Sequence, residues 1–98
     1  MQKLIIIGAG GMGRTLFDMA QESHGYRTDF VIKGFIDDNV NSLDGFINYP
    51  PIIGTIKDYQ PEADDIFICS IGGSSRRDCM STILNKGGEF YTLVHHTA

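Results

Sequence analysis

Four of the six residues from Gly8 to Gly13 are glycine, and Gly8-Ala9-Gly10-Gly11-Met12-Gly13 reads as G-x-G-x-x-G. A backbone stripped of side chains can turn tightly and bring its N–H groups close to an anion, and a helix beginning behind it adds positive partial charge. The context suits that chemistry. Leu4-Ile5-Ile6-Ile7 runs into the glycines as a short, mostly β-branched apolar strand. Behind them Met12, Leu16, Met19 and Ala20 recur at helical spacing with polar residues between, which predicts an amphipathic helix with those four on its apolar face. The span Gly8 to Thr15 also approaches a P-loop, with Arg14 where that motif has lysine. Arginine does not stand in for that lysine, and no later apolar strand is followed by an aspartate suited to Mg²⁺, so the chain is not read as a nucleotide triphosphatase.

Other residues could act at the same place. Asp37 lies about two dozen positions beyond Gly13, where dinucleotide-binding proteins carry the acid that takes a ribose hydroxyl. With Asp38 it could equally be one of two solvated turn aspartates, and both readings stay open. Arg76 and Arg77 fall in the first turn of a predicted helix, within reach of a phosphate, and as cations there they oppose the helix dipole. His95 and His96 have no third ligand nearby and read as surface residues. Cys69 sits on an apolar strand and reads as core. No set of nucleophile, base and orienting acid can be assembled, and neither a catalytic nor a metal-ligating residue is assigned.

The elements that must position these residues alternate in type. The first helix is expected to fade near His24-Gly25 on a left-handed glycine cap. Phe30-Val31-Ile32 and Phe35-Ile36 form a second strand interrupted by Lys33-Gly34, which breaks at Asp37-Asp38-Asn39. Residues 39–51 read as a loop, long enough to suggest a function. Ile52-Ile53-Gly54 is a short third strand, after which Thr55 caps a single turn through Tyr59. Ile66 to Ile71 is a fourth strand ending at Gly72-Gly73. Ser74 or Ser75 then caps a helix with Cys79, Met80, Ile83 and Leu84 on its apolar face, ending at Gly87-Gly88. Phe90 to Val94 supplies the last strand. Strands and helices in this alternation predict a small α/β fold of Rossmann-like type, a parallel sheet in the order 3-2-1-4-5 with helices on both faces. Three segments then meet where the strand order reverses: Gly8–Gly13, Asp37-Asp38 and Ile71-Gly72-Gly73-Ser74. That is a nucleotide-sized cleft.

Ninety-eight residues make one domain, 1–98. A formal net charge of −4, with no lysine or arginine stripe, argues against a nucleic-acid surface. The apolar run before the glycines is too short for a signal peptide or a membrane span. Two cysteines, Cys69 and Cys79, without a C-x-x-C pattern fit a reduced, cytoplasmic chain.

Five stretches in order, KLIIIGAGGMGR, GFIDDN, YPPIIGTIKDY, FICSIGGSSRR and TLVHHTA, resemble the N-terminal domain of bacterial sugar acetyltransferases. These are the sialic acid O-acetyltransferase type and the UDP-4-amino-sugar N-acetyltransferases, and the resemblance runs over essentially the whole chain. It implies a domain that binds a UDP-sugar or related nucleotide-sugar and needs no cofactor of its own. In such enzymes a left-handed β-helix follows, which trimerises, binds acetyl-CoA and carries the catalytic histidine. Acetyl transfer to a sugar amine or hydroxyl is then expected of the complete enzyme, and binding alone of these 98 residues. By the same resemblance Gly8, Gly10, Gly11 and Gly13 match the phosphate-side loop, Asp37 and Asp38 match paired acids at the uridine end, and Gly54 matches the glycine after the third strand. Gly72 and Arg77 fall on the I-G-x-x-x-x-R stretch after the fourth. The chain departs from the pattern in three places. Met12 replaces a histidine in the loop, Gly73-Ser74 replaces an Asp/Asn-Asn pair, and His96 stands where proline opens the β-helix. The first two remove polar groups from the cleft. Two other expectations compete: an NAD(P)-binding Rossmann fragment of an oxidoreductase or redox sensor, resting on the same glycines and Asp37, and an interaction domain whose cleft has decayed.

Overall fold

A computed structural model describes residues 1–23, 25–39, 41–46 and 48–91. The elements run β1 (Gln2–Ile7), α1 (Gly11–Gln21), β2 (Phe30–Ile36), β3 (Ile52–Gly54), β4 (Asp65–Cys69), α2 (Gly73–Asn85) and β5 (Glu89–Phe90). The five strands form one sheet in the order β3-β2-β1-β4-β5, and every strand pair is parallel. This is the predicted α/β architecture.

The unbroken apolar run of β1 follows from burial on both faces. Leu4 and Ile6 point into one core with Phe17 and Ala20 of α1, Phe30, Phe35, Ile66 and Ile68. Ile5 and Ile7 point into the other with Ile36, Ile56, Phe67, Cys69 and Ile83 of α2. All four residues of the run have no exposed surface. The two helices, α1 between β1 and β2 and α2 between β4 and β5, therefore seal opposite faces of the sheet.

Several local expectations need correction. The buried face of α1 is Gly13, Phe17 and Ala20, with Leu16 partly buried. Met12 and Met19 are 59% and 39% exposed, so the seam is rotated from the predicted one. Close seating at Gly13 brings that side of the helix, and Phe17 with it, onto the sheet. The C-terminus of α1 has no left-handed glycine: the N–H groups of Glu22 and Ser23 bond back to Met19 and Ala20 in a tightened last turn. Lys33 does not interrupt β2. It is the extra residue of a bulge, since Leu4 pairs with Ile32 and Ile5 with Gly34. β4 begins at Asp65 and ends at Cys69, leaving Ser70 and Ile71 beyond it. Gly72 is the N-cap of α2, and Ser74 and Ser75 fall inside the first turn and cap nothing.

Other local readings hold. The Asp58 N–H bonds to the Thr55 hydroxyl at 3.1 Å and the Tyr59 N–H to the Thr55 carbonyl at 3.0 Å, a single capped turn. Helix α2 ends as predicted on Gly87, whose φ is 87°, with the N–H groups of Gly88 and Gly87 bonded to Ile83 and Leu84. β5 starts at Glu89, one residue before the predicted start, and Thr92–Val94, His95 and His96 lie outside the described residues.

Candidate functional site: the glycine loop at the switch point of the sheet

The glycine loop leaves the carboxyl end of β1, where α1 and α2 diverge to opposite faces. Two of its glycines serve packing. A Cβ on Gly13 would sit 1.9 Å from the Gly8 carbonyl oxygen, and one on Gly8 would meet Ser70 Oγ at 2.4 Å, with the Gly8 φ at 94° besides. Only a backbone without Cβ lets α1 start this close to the strand end. The Ser70 hydroxyl donates to the Ile7 and Gly8 carbonyls at 2.7 and 3.2 Å, and so binds the end of β4 to the loop. Gly10 and Gly11 are different. Both are exposed, Gly10 has nothing within 4 Å of where a Cβ would stand, and Gly11 has only the Arg14 guanidinium at 3.8 Å. Gly10 is also the N-cap of α1 and gives it no side-chain cap, so the first-turn N–H groups receive no capping bond from a side chain.

The acids after β2 reach the same place. Asp37 Oδ2 accepts from the Ala9 N–H at 2.8 Å and the Ser42 hydroxyl at 3.2 Å, and Oδ1 accepts from the Asn39 N–H at 2.8 Å. Three of its roughly four acceptor positions are thus used in tying the glycine loop to the 39–51 segment. Asp38 accepts from the Ile56 N–H at 3.0 Å, and its side turns toward α2, where it lines a hollow of about 280 Å³ with Lys57, Asp78 and Cys79. Gly54 joins through its carbonyl, which accepts the Asp37 N–H at 3.1 Å. The loops after β1, β2, β3 and β4 are therefore fastened together by named bonds.

The remaining predicted positions form an outer rim. Gly72 and Gly73 are exposed, with open space where a Cβ would be. Arg77 lies beside Gly73, Ser74 and Asp78 around a shallow hollow of about 460 Å³, and makes no bond to the glycine loop. Met12 projects into solvent from the first turn of α1. Arg76 is turned elsewhere: its Nη1 donates to the Cys69 carbonyl at 3.0 Å. Burial, with Cys69 and nearby carboxylates adding to it, pushes the Cys79 thiol up, so it stays protonated at neutral pH. Among the described residues, no group of three or more His, Cys, Asp or Glu is arranged to hold a metal.

Two features were not singled out from the sequence. Arg14 stacks its guanidinium over the Phe46 ring, 3.9 Å from the centroid, and donates from Nη1 to the Ala9 carbonyl at 3.2 Å. Its near-P-loop register was the one available hint. The second is a closed cluster toward the amino ends of the strands. Lys33 Nζ donates to Tyr59 Oη at 2.7 Å, Glu62 Oε1 at 2.8 Å and Asp65 Oδ1 at 3.0 Å, while the Tyr59 hydroxyl donates to Asp65 Oδ2 at 2.6 Å. Burial disfavours the charges here. Even so, the Glu62 N–H, the Tyr59 hydroxyl and the Lys33 ammonium hold the Asp65 carboxyl below the ordinary carboxylate range. Glu62, Tyr59 and Asp65 likewise outweigh burial and hold the Lys33 ammonium above its usual value. A lone lysine inside the apolar strand FVIKGFI is the trace this cluster leaves in the sequence. Lys33, Tyr59 and Asp65 spend their groups on one another and only Glu62 faces solvent, so the cluster is structural.

A family model described as the PglD N-terminal domain matches residues 3–84, which takes in the first four of the five motif stretches. No curated protein matches the chain at a significant level. With five-sixths of its length inside that match, on a sheet of the predicted order, the chain belongs to the PglD N-terminal domain family, the N-terminal domain of PglD-like sugar acetyltransferases.

Proposed function

We propose that this domain binds the nucleotide-sugar substrate of a sugar acetyltransferase, with the diphosphate of a UDP-sugar on Gly8, Gly10, Gly11 and Gly13. Asp37, Asp38 and Gly54 stand on the uridine side, and Met12, Gly72, Gly73 and Arg77 on the rim that faces the sugar. Acetyl-CoA is the donor in the complete enzyme: a sugar amine or hydroxyl attacks the thioester carbonyl and the CoA thiol leaves. The general base and the trimer contacts belong to the β-helix portion of such enzymes. This domain's contribution is to position the acceptor, which can supply a large share of the rate.

The observation that carries the reading is the uncapped start of α1 on two exposed glycines at the switch point of the sheet. No side chain caps the helix there, Gly10 has open space where a Cβ would stand, and Gly11 has only the Arg14 guanidinium nearby. A ligand outside the carboxyl ends of the strands is what this topology favours. The test is a thermal-shift screen of the chain against UDP, UDP-N-acetylglucosamine, CMP-sialic acid, NADH and acetyl-CoA. At a hundred times Kd a ligand bound to the folded state adds about 2.7 kcal/mol, which for a domain of this size is roughly 10 °C or more in Tm. A rise with the uridine compounds is the expected result. A rise with NADH alone overturns the proposal.

A further inference from the structure

Arg14 is placed where its charge costs stability, and no carboxylate among the described residues pairs with it. It sits in the first turns of α1, and its side chain runs back toward the helix N-terminus, as helical side chains do. There the guanidinium meets the positive end of its own helix, an arrangement disfavoured by a few tenths to about 1 kcal/mol. It makes no ion pair with a carboxylate among the described residues, where Lys33 holds both of the salt bridges found. A guanidinium carries five N–H donors. One is used, by Nη1 on the Ala9 carbonyl at 3.2 Å, and Nη2 stands 3.8 Å from where a Cβ on Gly11 would be.

The group is nevertheless fixed. Phe46 backs its plane at 3.9 Å. That ring is anchored in turn: Tyr49 meets it edge-on at 6.4 Å and packs on Phe17 of α1 at 5.4 Å. The 39–51 segment thus carries an aromatic plate over the glycine loop, and the plate holds a planar fork of donors beside Gly11. By contrast Lys86, also a lone cation, spends its ammonium on the Ile56, Lys57 and Tyr59 carbonyls.

We propose that Arg14 is a substrate-contacting residue, its guanidinium taking a phosphate oxygen at the mouth of the Gly8–Gly13 loop while Phe46 sets the plane of the fork. The inference rests on the nucleotide-sugar reading and adds to it the residue that reads the diphosphate charge. Backbone N–H groups supply partial charge only. A planar guanidinium adds a full positive charge and paired donors matched to two phosphate oxygens.

The test measures Kd by NMR titration for UDP, uridine and pyrophosphate with the wild-type chain and with Arg14→Met, Arg14→Lys, Phe46→Leu and Arg27→Gln. Arg27→Gln removes the same charge from the other end of the sheet. Arg14→Met is expected to weaken UDP and pyrophosphate by about tenfold to a hundredfold, the worth of a charge-assisted hydrogen bond. Uridine should stay within about twofold by the same arithmetic, because it carries no phosphate. Arg14→Lys, which retains charge without the fork, and Phe46→Leu should fall between. Equal weakening of UDP and uridine marks Arg14 as structural and overturns the proposal, as does a UDP loss no larger than that of Arg27→Gln. If the wild type binds pyrophosphate but neither uridine compound, and Arg14→Met loses it, the uridine reading fails while the assignment of Arg14 stands. If the wild type binds none of the three, both fail. Melting temperature of each variant guards against misfolding.

Discussion

Two polar regions of this domain lie near opposite ends of the same parallel strands and are built on opposite principles. Toward the amino ends, Lys33, Tyr59, Glu62 and Asp65 close on one another, and Asp65 is only 4% exposed. At the carboxyl ends, Gly10, Gly11, Gly72 and Gly73 present bare backbone with open space or a single guanidinium above it. A cluster whose donors and acceptors are matched internally stabilises and has nothing left to offer a ligand. A helix start without a cap gives up stability and keeps its N–H groups available. The difference teaches where to look for function: in polar groups left unmatched on a rigid floor.

The sharpest way to break the closed region is Asp65→Ala, which takes the buried acceptor from the Tyr59 hydroxyl and the Glu62 N–H and leaves Lys33 paired only with the exposed Glu62 carboxylate. A loss of about 3–5 kcal/mol is expected, read as a fall in the urea midpoint. Next in size is Gly13→Ala, which tests the floor of the open region. Its Cβ would lie 1.9 Å from the Gly8 carbonyl oxygen, a backbone atom that cannot step aside. A loss of about 3 kcal/mol is expected, and an unchanged midpoint would show that the helix is not seated on the strand end.

A pH titration sharpens the same contrast. Asp65 has its folded pKa depressed, so its contribution is full above the ordinary carboxylate value of about 3.9 and is lost as pH falls below it. Lys33 and Tyr59 have theirs raised, Tyr59 chiefly by burial and then by Asp65. Their contributions are full below about 10 and are lost as pH rises beyond it. Stability from this cluster should be flat between roughly pH 5 and 9, and Asp65→Asn should blunt the acid limb of a stability–pH curve. The smallest effect separates stability from binding. Gly10→Ser gives α1 the side-chain cap it lacks, worth a few tenths of a kcal/mol in thermal midpoint. The same change should weaken UDP, because the serine oxygen then occupies a first-turn N–H. A gain in both would argue that the donors are not used by ligand.

Much of the frame was legible in the linear chain. Leu4–Ile7 announced an apolar strand, the alternation of elements implied the order 3-2-1-4-5, and Gly87 marked the end of α2. The reason is that chain-local rules act on each: hydrophobic period, crossover handedness and the left-handed preference of glycine. Period alone does not select the face of α1, because Met12 and Met19 fit it as well as Phe17 does, and contact with the sheet selects Gly13, Phe17 and Ala20. Lys33 looked like an interruption, since nothing nearby in the chain shows that Asp65 waits beside it.

The glycine loop divides along the same line. Its composition alone established that the chain turns tightly before a helix and can approach an anion there. Tertiary structure decided which glycines are spent on packing, Gly8 against Ser70 and Gly13 against Gly8, and which remain open, Gly10 and Gly11. It also decided that Asp37 is largely committed to the Ala9 and Asn39 N–H groups and the Ser42 hydroxyl, and that Arg14 rests on Phe46. Residue type and local spacing set the conformations a backbone can adopt, whereas a donor's partner depends on which distant segments the sheet brings within about 3 Å of it.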